Sequence, residues 1–595
     1  MKLSDYVAQF IAEQGIGHVF MLPGGGAMHL NESLGRREDI QFVCTLHEQA
    51  AAIAAEAYSK VTNRLGAVMV TTGPGGTNAI TGVVSAWLDS VPCLVVSGQV
   101  KRADLKRGSG VRILGVQEVD IVALVESVTK YAVTVEEPES IRYHLEKAVY
   151  LATTGRQGPV WLDIPLDVQA AEIDPGRLAG FSPISAAPDH DLAGRVRALL
   201  DLLERSERPV FLVGNGVRAA GAAEVLRNVL AVSRAPVLTT WLGMDLVDDG
   251  DPLFAGRPGA VAPRGANFAL QNSDLLISVG ARLDMALTGY SHENLAPRAA
   301  KVIVDVDEAE IRKLRTRVDL PIVADAGLFL RELERRLADR SMPARSEWIA
   351  RCQDWKLRYP VVLPEHRREG DGVSTYALAD VLSDALDDTD VVVSGSSGAA
   401  IEIFLLAFRV KSGQRVLHSR GLGSMGFGLP AAVGACLGSG RRTVCVEGDG
   451  SFQLNIQELA TVRRLGLPVK MFVVNNDGFA SIRASQRGYF GHLVAADSSS
   501  GLTLPNVRAV AAAYGIPSVL VNHQRDLMSQ VRSVLDAPGP MLCDVSAPRD
   551  EERSPRISSR QLADGGMVST PLEDLWPFLD RAEFAENMMG PTAEG

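Results

Sequence analysis

Short apolar runs alternate with amphipathic stretches along most of the chain. Runs of four to eight apolar residues rich in branched side chains predict buried strands, and the longer stretches between them, such as 48–61, predict helices. The predicted strands lie at 66–72, 92–97, 159–164, 209–213, 275–279, 301–306, 391–393, 443–446, 469–474 and 541–545. Strands that alternate with helices form βαβ units and parallel sheets.

The alternation falls into three blocks, so we predict an α/β fold with three doubly wound parallel-sheet domains. Their expected bounds are 1–175, 192–340 and 373–548, and a C-terminal tail at 549–595 ends in a helix-like run at 571–584. The segment 174–191 contains three prolines and many small residues, which is typical of a linker.

Composition narrows the class of protein. Hydrophobic residues make up 46% and charged residues 22%, as in a soluble globular protein. The formal net charge of -11 argues against nucleic acid as the main partner. No run approaches the roughly 18 apolar residues of a membrane span, and the N-terminus lacks the apolar stretch of a secretory signal. We therefore expect no membrane association.

Six scattered cysteines contain no C-x-x-C pair, so they suggest no zinc site. Cys44, Cys93, Cys445 and Cys543 lie in apolar runs and are predicted to be buried thiols. Free buried thiols fit a reducing compartment, so a cytoplasmic location is expected.

Two polar clusters follow predicted strands of the third block. Gly448-Asp449-Gly450 comes directly after the strand at 443–446, and Asn475-Asn476 comes after the strand at 469–474. The carboxyl ends of parallel strands are where open α/β sheets place ligands. Carboxylate and amide oxygens suit Mg²⁺, and a helix that starts at Gly450 and Ser451 would offer free N–H groups to a diphosphate. Together the clusters predict a site for Mg²⁺ and a diphosphate.

Glu48 is the candidate catalytic carboxylate of the first block. It opens an alanine-rich helix, where the helix dipole alone would favour an acidic residue. Taken by itself, this position is explained as well by helix stability as by chemistry.

Several motifs in a fixed order now resemble the thiamin-diphosphate-dependent decarboxylases and carboligases, most closely the acetolactate synthase branch. The resemblance covers about residues 1–548 and is carried by PGGGA at 23–27, HEQ at 47–49, GPGGTN at 73–78, DIP at 163–165 and GLGSMGFGLP at 421–430, besides the two polar clusters.

The resemblance implies roles for individual residues. Glu48 would bind the aminopyrimidine ring and help the cofactor to lose its reactive proton, and Gln117 would face the reacting centre or else be an exposed residue at a helix start. The Gly423 carbonyl would accept from the pyrimidine amine, and Met425 would wedge between the two rings of the cofactor. Mg²⁺ would be held by Asp449, Asn476 and the Gly478 carbonyl. The remaining expected cofactor contacts are Gly25, Gly26, Gly395, Ser396, Gly448, Gly450 and Ser451.

A second cofactor, FAD, is implied for the middle block. Glycines that follow strands suit the approach of a pyrophosphate, although any α/β fold contains such glycines. The expected FAD contacts are Arg156, Gly214, Asn215, Gly216, Gly280, Arg282, Asp284 and Asp305.

The chain departs from the acetolactate synthase pattern at three places. A Gln-His pair expected after the first strand of the third block is replaced by SGSSGA at 394–399, a lysine by Leu166, and a tryptophan that shapes the acceptor pocket by Ser485. Loss of an indole opens space for a larger or more polar acceptor. These changes and the tail resemble carboligases of nucleotide-sugar pathways.

Four functions remain open from the sequence. The first is a carboligase that decarboxylates pyruvate, or a similar 2-oxo acid, and transfers the two-carbon unit to another ketone, such as a nucleotide-linked keto-deoxysugar. The second is an acetolactate synthase catalytic subunit, and the third is thiamin-dependent cleavage of a diketone or a related decarboxylation. The fourth is a non-catalytic relative that binds a cofactor. The resemblance also implies a homodimer or homotetramer.

Overall fold

The structure is a computed structural model, and it describes residues 1–183, 191–396, 398–561 and 567–589. Three six-stranded sheets, each parallel throughout and flanked by helices, follow one another along the chain. The predicted α/β fold of three parallel sheets is therefore confirmed.

The first sheet has the strand order β2-β1-β3-β4-β6-β5. Its strands are β1 His18–Met21, β2 Gln41–Cys44, β3 Gly66–Val70, β4 Cys93–Gln99, β5 Ala132–Thr134 and β6 Val160–Pro165. The helices around it are α1 Leu3–Glu13, α2 Met28–Gly35, α3 Glu48–Thr62, α4 Pro74–Leu88, α5 Ile121–Val125, α6 Ile141–Thr153 and α7 Leu166–Gln169. Its central strands β3, β4 and β6 are buried along their whole length, which explains their continuous apolar pattern.

The second sheet has the order β12-β11-β10-β7-β8-β9. Its strands are β7 Pro209–Val213, β8 Val237–Thr239, β9 Phe254–Gly256, β10 Leu275–Val279, β11 Ala300–Asp305 and β12 Leu320–Val323. The helices of this block are α8 Leu192–Arg205, α9 Asn215–Ala219, α10 Ala223–Ser233, α11 Arg264–Gln271, α12 Glu308–Arg312, α13 Ala326–Leu337 and α14 Ser346–Arg358.

The third sheet has the order β14-β13-β15-β16-β18-β17. Its strands are β13 Val391–Ser394, β14 Arg415–Leu417, β15 Thr443–Gly448, β16 Val469–Asn475, β17 Ser518–Val521 and β18 Met541–Ser546. Its helices are α15 Thr375–Ala385, α16 Ala399–Ala407, α17 Gly428–Ser439, α18 Asp449–Phe452, α19 Leu459–Leu465, α20 Ala480–Phe490, α21 Val507–Ala513 and α22 Leu527–Asp536.

Small side chains join the first and third blocks. Helix α3, rich in alanine, packs along α17, and both helices belong to one continuous core. A β-carbon at Gly434 of α17 would collide with the carbonyl oxygen of Ala54, so the two backbones approach to a distance that only glycine permits.

The tail wraps around the middle block. It contains β19 Ser559–Gln561, β20 Met567–Ser569 and α23 Arg581–Asn587, and β19 and β20 pair antiparallel. Leu572 and Leu575 are buried in the core of the middle block, and Asn267 donates a hydrogen bond to the Leu572 carbonyl oxygen at 2.6 Å. The tail is thus part of this block's fold.

Two predictions from the sequence are wrong in detail. The run at 571–584 is not one helix, because only α23 from Arg581 is helical and the residues before it lie as coil on the middle block. Cys93, Cys445 and Cys543 are buried free thiols as predicted, whereas Cys44 is only partly buried because it lies at the end of the edge strand β2. Within the described ranges, no helix is long and apolar enough to cross a membrane.

Candidate active site

The two polar clusters of the third block meet at neighbouring strand ends. Strands β15 and β16 pair so that Gly448 lies beside Val474. Asp449 opens α18 and is buried, and its Oδ2 atom accepts a hydrogen bond from the Gly478 N–H at 2.8 Å. Its Oδ1 atom accepts from the Gly450 N–H at 2.7 Å. The structure therefore brings Asp449 against the turn that contains Asn476 and Gly478.

This carboxylate is in surroundings that favour a cation. Burial is the largest influence on Asp449 and raises the pKa of its carboxyl to about 6, against the opposing effect of the two N–H groups. Among the described residues, no group of three or more His, Cys, Asp or Glu side chains could hold a metal. A metal here would depend on one carboxylate together with amide and carbonyl oxygens, a donor set that fits Mg²⁺.

Polar atoms without partners mark the expected diphosphate loop. The buried hydroxyl oxygens of Ser396 and Ser424 and the Oε1 atom of Glu447 have no hydrogen-bond partner within the part of the chain that is described. A β-carbon at Gly395 would collide with the same Oε1 atom, so this position requires glycine. Since buried polar atoms normally have partners, these hydroxyls fit a ligand rich in acceptor oxygens.

Ser451 of α18 and Asn455, which follows α18, hold the glycine-rich loop before α17 by hydrogen bonds. Gly423 and Gly426 have φ angles of 68° and 80°, which are left-handed values that favour glycine. The Gly426 N–H donates to Ser451 Oγ at 2.9 Å, and Asn455 Nδ2 donates to the Gly426 carbonyl oxygen at 2.7 Å. Met425, which lies between Gly423 and Gly426 in the loop, is 36% exposed, so it is available to a ligand and is not a core side chain.

Glu48 lies in a buried position at the start of α3. Its side chain is only slightly exposed, and its Oε2 atom accepts a hydrogen bond from Asn78 Nδ2 of α4 at 3.0 Å. His47 caps the helix by accepting from the Gln49 N–H. The helix start alone would have left the carboxylate in solvent, and the packing of α3 on α4 is what buries it.

The other expected residues of the first block surround the start of α4. A β-carbon at Gly25 would meet no atom within 4 Å, whereas Gly26 is fixed by its N–H to Thr71 Oγ1 at 3.1 Å. Gln117 is exposed and has a φ of 62°, and its backbone lies against Gly73. It lies in a turn before α5 and not at a helix start, but it is exposed, as the alternative to a catalytic role expected.

Most of the residues expected to bind FAD line one cavity of about 390 Å³. These residues are Arg156, Asn215, Gly216, Gly280, Arg282, Asp284 and Asp305. Gly214 does not line it, and a β-carbon at this position would collide with the Gly280 carbonyl oxygen. Asp89 of the first block and Arg420 of the third block also line the cavity, so all three blocks meet there.

Charges of both signs line this cavity. Arg156 forms ion pairs with Asp307 at 2.9 Å and Glu310 at 2.5 Å. Arg282 donates to the Leu88 carbonyl oxygen at 2.6 Å, which ties the cavity wall to α4. Burial raises the pKa of Asp305 at the end of β11. Arginines and a strand-end carboxylate suit the phosphates and ribose of a nucleotide.

Comparison with known families matches all three blocks. The family model of the thiamine pyrophosphate enzyme N-terminal TPP binding domain matches residues 1–124, that of the central domain matches 196–333, and that of the C-terminal TPP binding domain matches 396–545. The chain is 34% identical over 570 residues to the acetolactate synthase large subunit of Parasynechococcus marenigrum (strain WH8102), which covers 92% of this chain and 88% of that protein.

The chain belongs to the acetolactate synthase family of thiamine pyrophosphate enzymes. It is also 33% identical over 576 residues to the chloroplastic acetolactate synthase 2 of Nicotiana tabacum and 32% identical over 575 residues to the chloroplastic acetolactate synthase of Arabidopsis thaliana. These matches cover 94% of this chain and 84% and 83% of the relatives.

Membership of this family settles the class of chemistry. The protein is an enzyme that uses thiamin diphosphate to form carbon–carbon bonds with small-molecule substrates. The alternative of a non-catalytic cofactor-binding relative finds no support, since Glu48, Asp449 and Asn476 are all present.

Sequence reasoning missed four residues around these sites in this member of the acetolactate synthase family. Among the described residues, Glu447 and Ser424 supply unpaired buried atoms beside the expected diphosphate loop, Arg420 lines the cavity, and Arg483 is buried behind the turn that follows β16. For Glu447 a signal was present, because a charged residue at the end of a buried strand needs a partner.

Proposed function

We propose that this enzyme decarboxylates pyruvate, or a similar small 2-oxo acid, and transfers the two-carbon unit to a ketone acceptor other than a second pyruvate. The observation that carries the proposal is the exposed position of Ser485 on α20, the helix that follows the proposed metal-binding turn. Ser485 on this helix is exposed, and its hydroxyl donates to the Ile482 carbonyl oxygen of the preceding turn at 3.1 Å, its one partner in the part of the chain that is described. A small polar residue with open space around it favours a large polar acceptor.

Mg²⁺ is proposed as the metal, with Asp449, Asn476 and the Gly478 carbonyl as its ligands. The contact between Asp449 and the Gly478 N–H supports this set, because it brings the carboxylate to the turn that carries the other two ligands. The expected ligands of the diphosphate are Gly395, Ser396, Gly448, Gly450 and Ser451, to which Ser424 is now added.

Glu48 is proposed as the carboxylate that binds the aminopyrimidine ring. When bound, thiamin diphosphate supplies a nucleophilic carbon that attacks the 2-oxo acid. Glu48 would hold a proton at its carboxylate next to the ring, in a buried position where water is excluded. Gly423 and Met425 would orient the ring system, Gly25 and Gly26 would contact the cofactor, and Gln117 would line the approach of the substrate.

FAD is proposed for the cavity between the three blocks. Seven of the eight expected contacts line this cavity, and its charge pattern suits a dinucleotide. The contacts reach Arg156 of the first block, so bound FAD would also hold the blocks together. Extraction of the purified protein with acid, followed by absorbance near the flavin bands, tests this proposal directly.

Product analysis by mass spectrometry tests the main proposal. The enzyme with thiamin diphosphate and Mg²⁺ is incubated with pyruvate alone and with a panel of ketones that includes a nucleotide-linked keto-deoxysugar. We expect a branched product with one ketone of the panel and only slow turnover with pyruvate alone. Rapid formation of acetolactate as the main product would refute the proposed acceptor.

A second candidate function is acetolactate synthesis itself, in which a second pyruvate is the acceptor. It is favoured by the relatives, which are named acetolactate synthases and align over most of their length. Substitution of Ser485 by Trp separates the two functions. The change is expected to reduce reaction with a large ketone, and a Ser485→Trp enzyme that reacts with it as before would contradict the role given to this position.

A further inference from the structure

Arg483 is a fully buried arginine behind the proposed metal site. It lies in the first turn of α20, and its side chain is 0% exposed. Its Nη1 atom donates to the Asp477 carbonyl oxygen, and its Nη2 atom donates to the Asn476 carbonyl oxygen, each at 2.8 Å. These two hydrogen bonds place the guanidinium directly on the backbone of the metal-binding turn.

The same guanidinium also reaches the chain that follows β18. Nη2 donates to the Arg549 carbonyl oxygen, and Nε pairs with Asp550 Oδ1 at 3.2 Å. Arg483 therefore joins the turn after β16 to the segment after β18. A planar guanidinium can serve three carbonyl oxygens and a carboxylate at once, which a lysine ammonium cannot do in the same geometry.

The turn needs such support because of its backbone conformation. Asp477 has a φ of 61° and Gly478 a φ of 106°, so two successive residues are left-handed. A left-handed non-glycine residue costs about 1–2 kcal/mol. The Gly478 N–H bond to Asp449 holds one side of the turn, and Arg483 holds the other side.

We propose that Arg483 is a positioning residue for the metal. By binding the Asn476 and Asp477 carbonyl oxygens, it fixes the turn so that the Asn476 side chain and the Gly478 carbonyl stay in place as metal ligands. This inference rests on the proposed Mg²⁺ site, and it assigns a role to a residue that contacts neither the metal nor the substrate.

Metal affinity in two variants tests the proposal. Arg483→Lys and Arg483→Met are freed of metal with EDTA, and Mn²⁺ is titrated in the presence of saturating thiamin diphosphate, with bound and free Mn²⁺ distinguished by electron paramagnetic resonance. Loss of a residue that orients metal ligands weakens metal affinity about 10–100-fold, and we expect a shift of this size for Mn²⁺. At saturating Mg²⁺, kcat should recover to within about threefold, because the ligands themselves remain.

Arg487→Met is the matched control. Arg487 lies one helical turn along α20 and pairs with the same Asp550 at 2.6 Å, but it is partly exposed and has no hydrogen bond to the turn. Its Mn²⁺ dissociation constant should equal that of the unmodified enzyme. If Arg487→Met shifts the constant as much as Arg483→Met does, the ion pair and not the turn is responsible, and the proposal is overturned.

The outcomes separate the inference from the function on which it rests. A folded Arg483→Lys or Arg483→Met enzyme with an unchanged Mn²⁺ constant overturns the role of Arg483. If Arg483→Met does not fold, Arg483→Lys alone decides. If the unmodified enzyme itself does not bind Mn²⁺ together with thiamin diphosphate, the proposed metal site fails instead.

Discussion

At the scale of single residues, burial of charged groups marks the chemistry. Glu48 opens a helix whose dipole already favours a carboxylate, yet the structure buries this side chain and, within the described ranges, gives it one hydrogen bond, from Asn78. Burial of a carboxylate with so few partners costs free energy of folding, so stability alone does not explain its position. Its environment therefore favours catalysis over helix stabilisation.

Glu48→Gln should lower turnover about 10²–10⁴-fold, because the amide cannot exchange a proton with the cofactor ring. Turnover is measured with saturating thiamin diphosphate, and the melting temperature should change little, since the amide retains the shape of the side chain. Glu308→Gln, which changes an exposed glutamate at the start of α12, should leave turnover unaffected. Near-normal turnover in Glu48→Gln would refute the assignment.

Asp163 is a second buried carboxyl, and its burial has a measurable effect on how stability depends on pH. It lies on the buried strand β6 and accepts hydrogen bonds from Ser97, Gln99 and Thr134. Burial raises the pKa of this carboxyl to about 7. The folded enzyme therefore keeps the proton up to a higher pH than the unfolded chain does, and stability falls as the pH rises from about 4 to 7.

Asp163→Asn should remove this pH dependence. Relative to the unmodified enzyme, the variant should gain stability as the pH rises from 4 to 7, by up to about 4 kcal/mol, and gain no more above pH 7. Calorimetric melting at several pH values measures the difference. The test is the slope of this stability difference with pH, because the hydrogen bonds lost in the variant lower its stability by the same amount at every pH. Asp388→Asn at an exposed position is the matched control.

At the scale of elements, the site depends on how closely helices and loops approach. The alanines of α3 and the glycine of α17 let these helices pack with their backbones in contact. This contact sets the spacing between the first and third blocks. The tail acts in the same way on the middle block, where Leu572 and Leu575 complete its core.

Gly434→Ala should therefore destabilise the enzyme by about 1–3 kcal/mol, because the new methyl group meets the Ala54 carbonyl and neither backbone can move freely. Denaturation in guanidinium chloride measures the change. Gly35→Ala is the matched control, since a methyl group at the end of α2 meets no atom within 4 Å. Equal stability of the two variants would contradict the tight packing of α3 on α17.

At the scale of the whole molecule, the question is whether one active site takes its residues from one chain or from two. Hydrogen bonds from Leu46 to Glu458 and from Arg464 to Cys44 join the start of α3 to the third block of the same chain. Exposed apolar side chains are close in the chain to candidate site residues: Val116 precedes Gln117, Leu422 and Met425 flank Gly423 and Ser424, and Tyr489 and Phe490 end α20. Such exposure is typical of a surface that another chain covers. We therefore propose a homo-oligomer whose sites lie between subunits.

Mixed oligomers test this arrangement. Glu48→Gln and Asp449→Asn should each be inactive when alone. If each site takes Glu48 from one chain and Asp449 from another, a dimer of the two variants contains one intact site, and co-expression should restore about a quarter of full activity. If a site takes both residues from one chain, no activity returns. The separately purified variants, assayed without exchange of subunits, are the control.

Two features of this protein were determined by the sequence itself. The buried strands were readable because strands covered on both faces are apolar throughout, so three parallel sheets followed from local pattern. The order of short motifs carried the resemblance to thiamin-diphosphate enzymes, and the positions of Gly448-Asp449-Gly450 and Asn475-Asn476 at predicted strand ends indicated a site for Mg²⁺ and a diphosphate. These inferences need only local information.

Only the tertiary structure decided which distant residues share a site. Nothing local to Glu48 predicts that α4 buries it, and nothing local to Arg483 predicts that its guanidinium reaches residues 476, 477, 549 and 550. The tail was misread for the same reason, because its apolar residues pack on the middle block and do not form a helix face. Burial of a side chain and the hydrogen bonds it forms depend on contacts between segments that are distant in the sequence. The sequence pattern therefore identified the candidate chemical groups, and only packing decided the environment of each group.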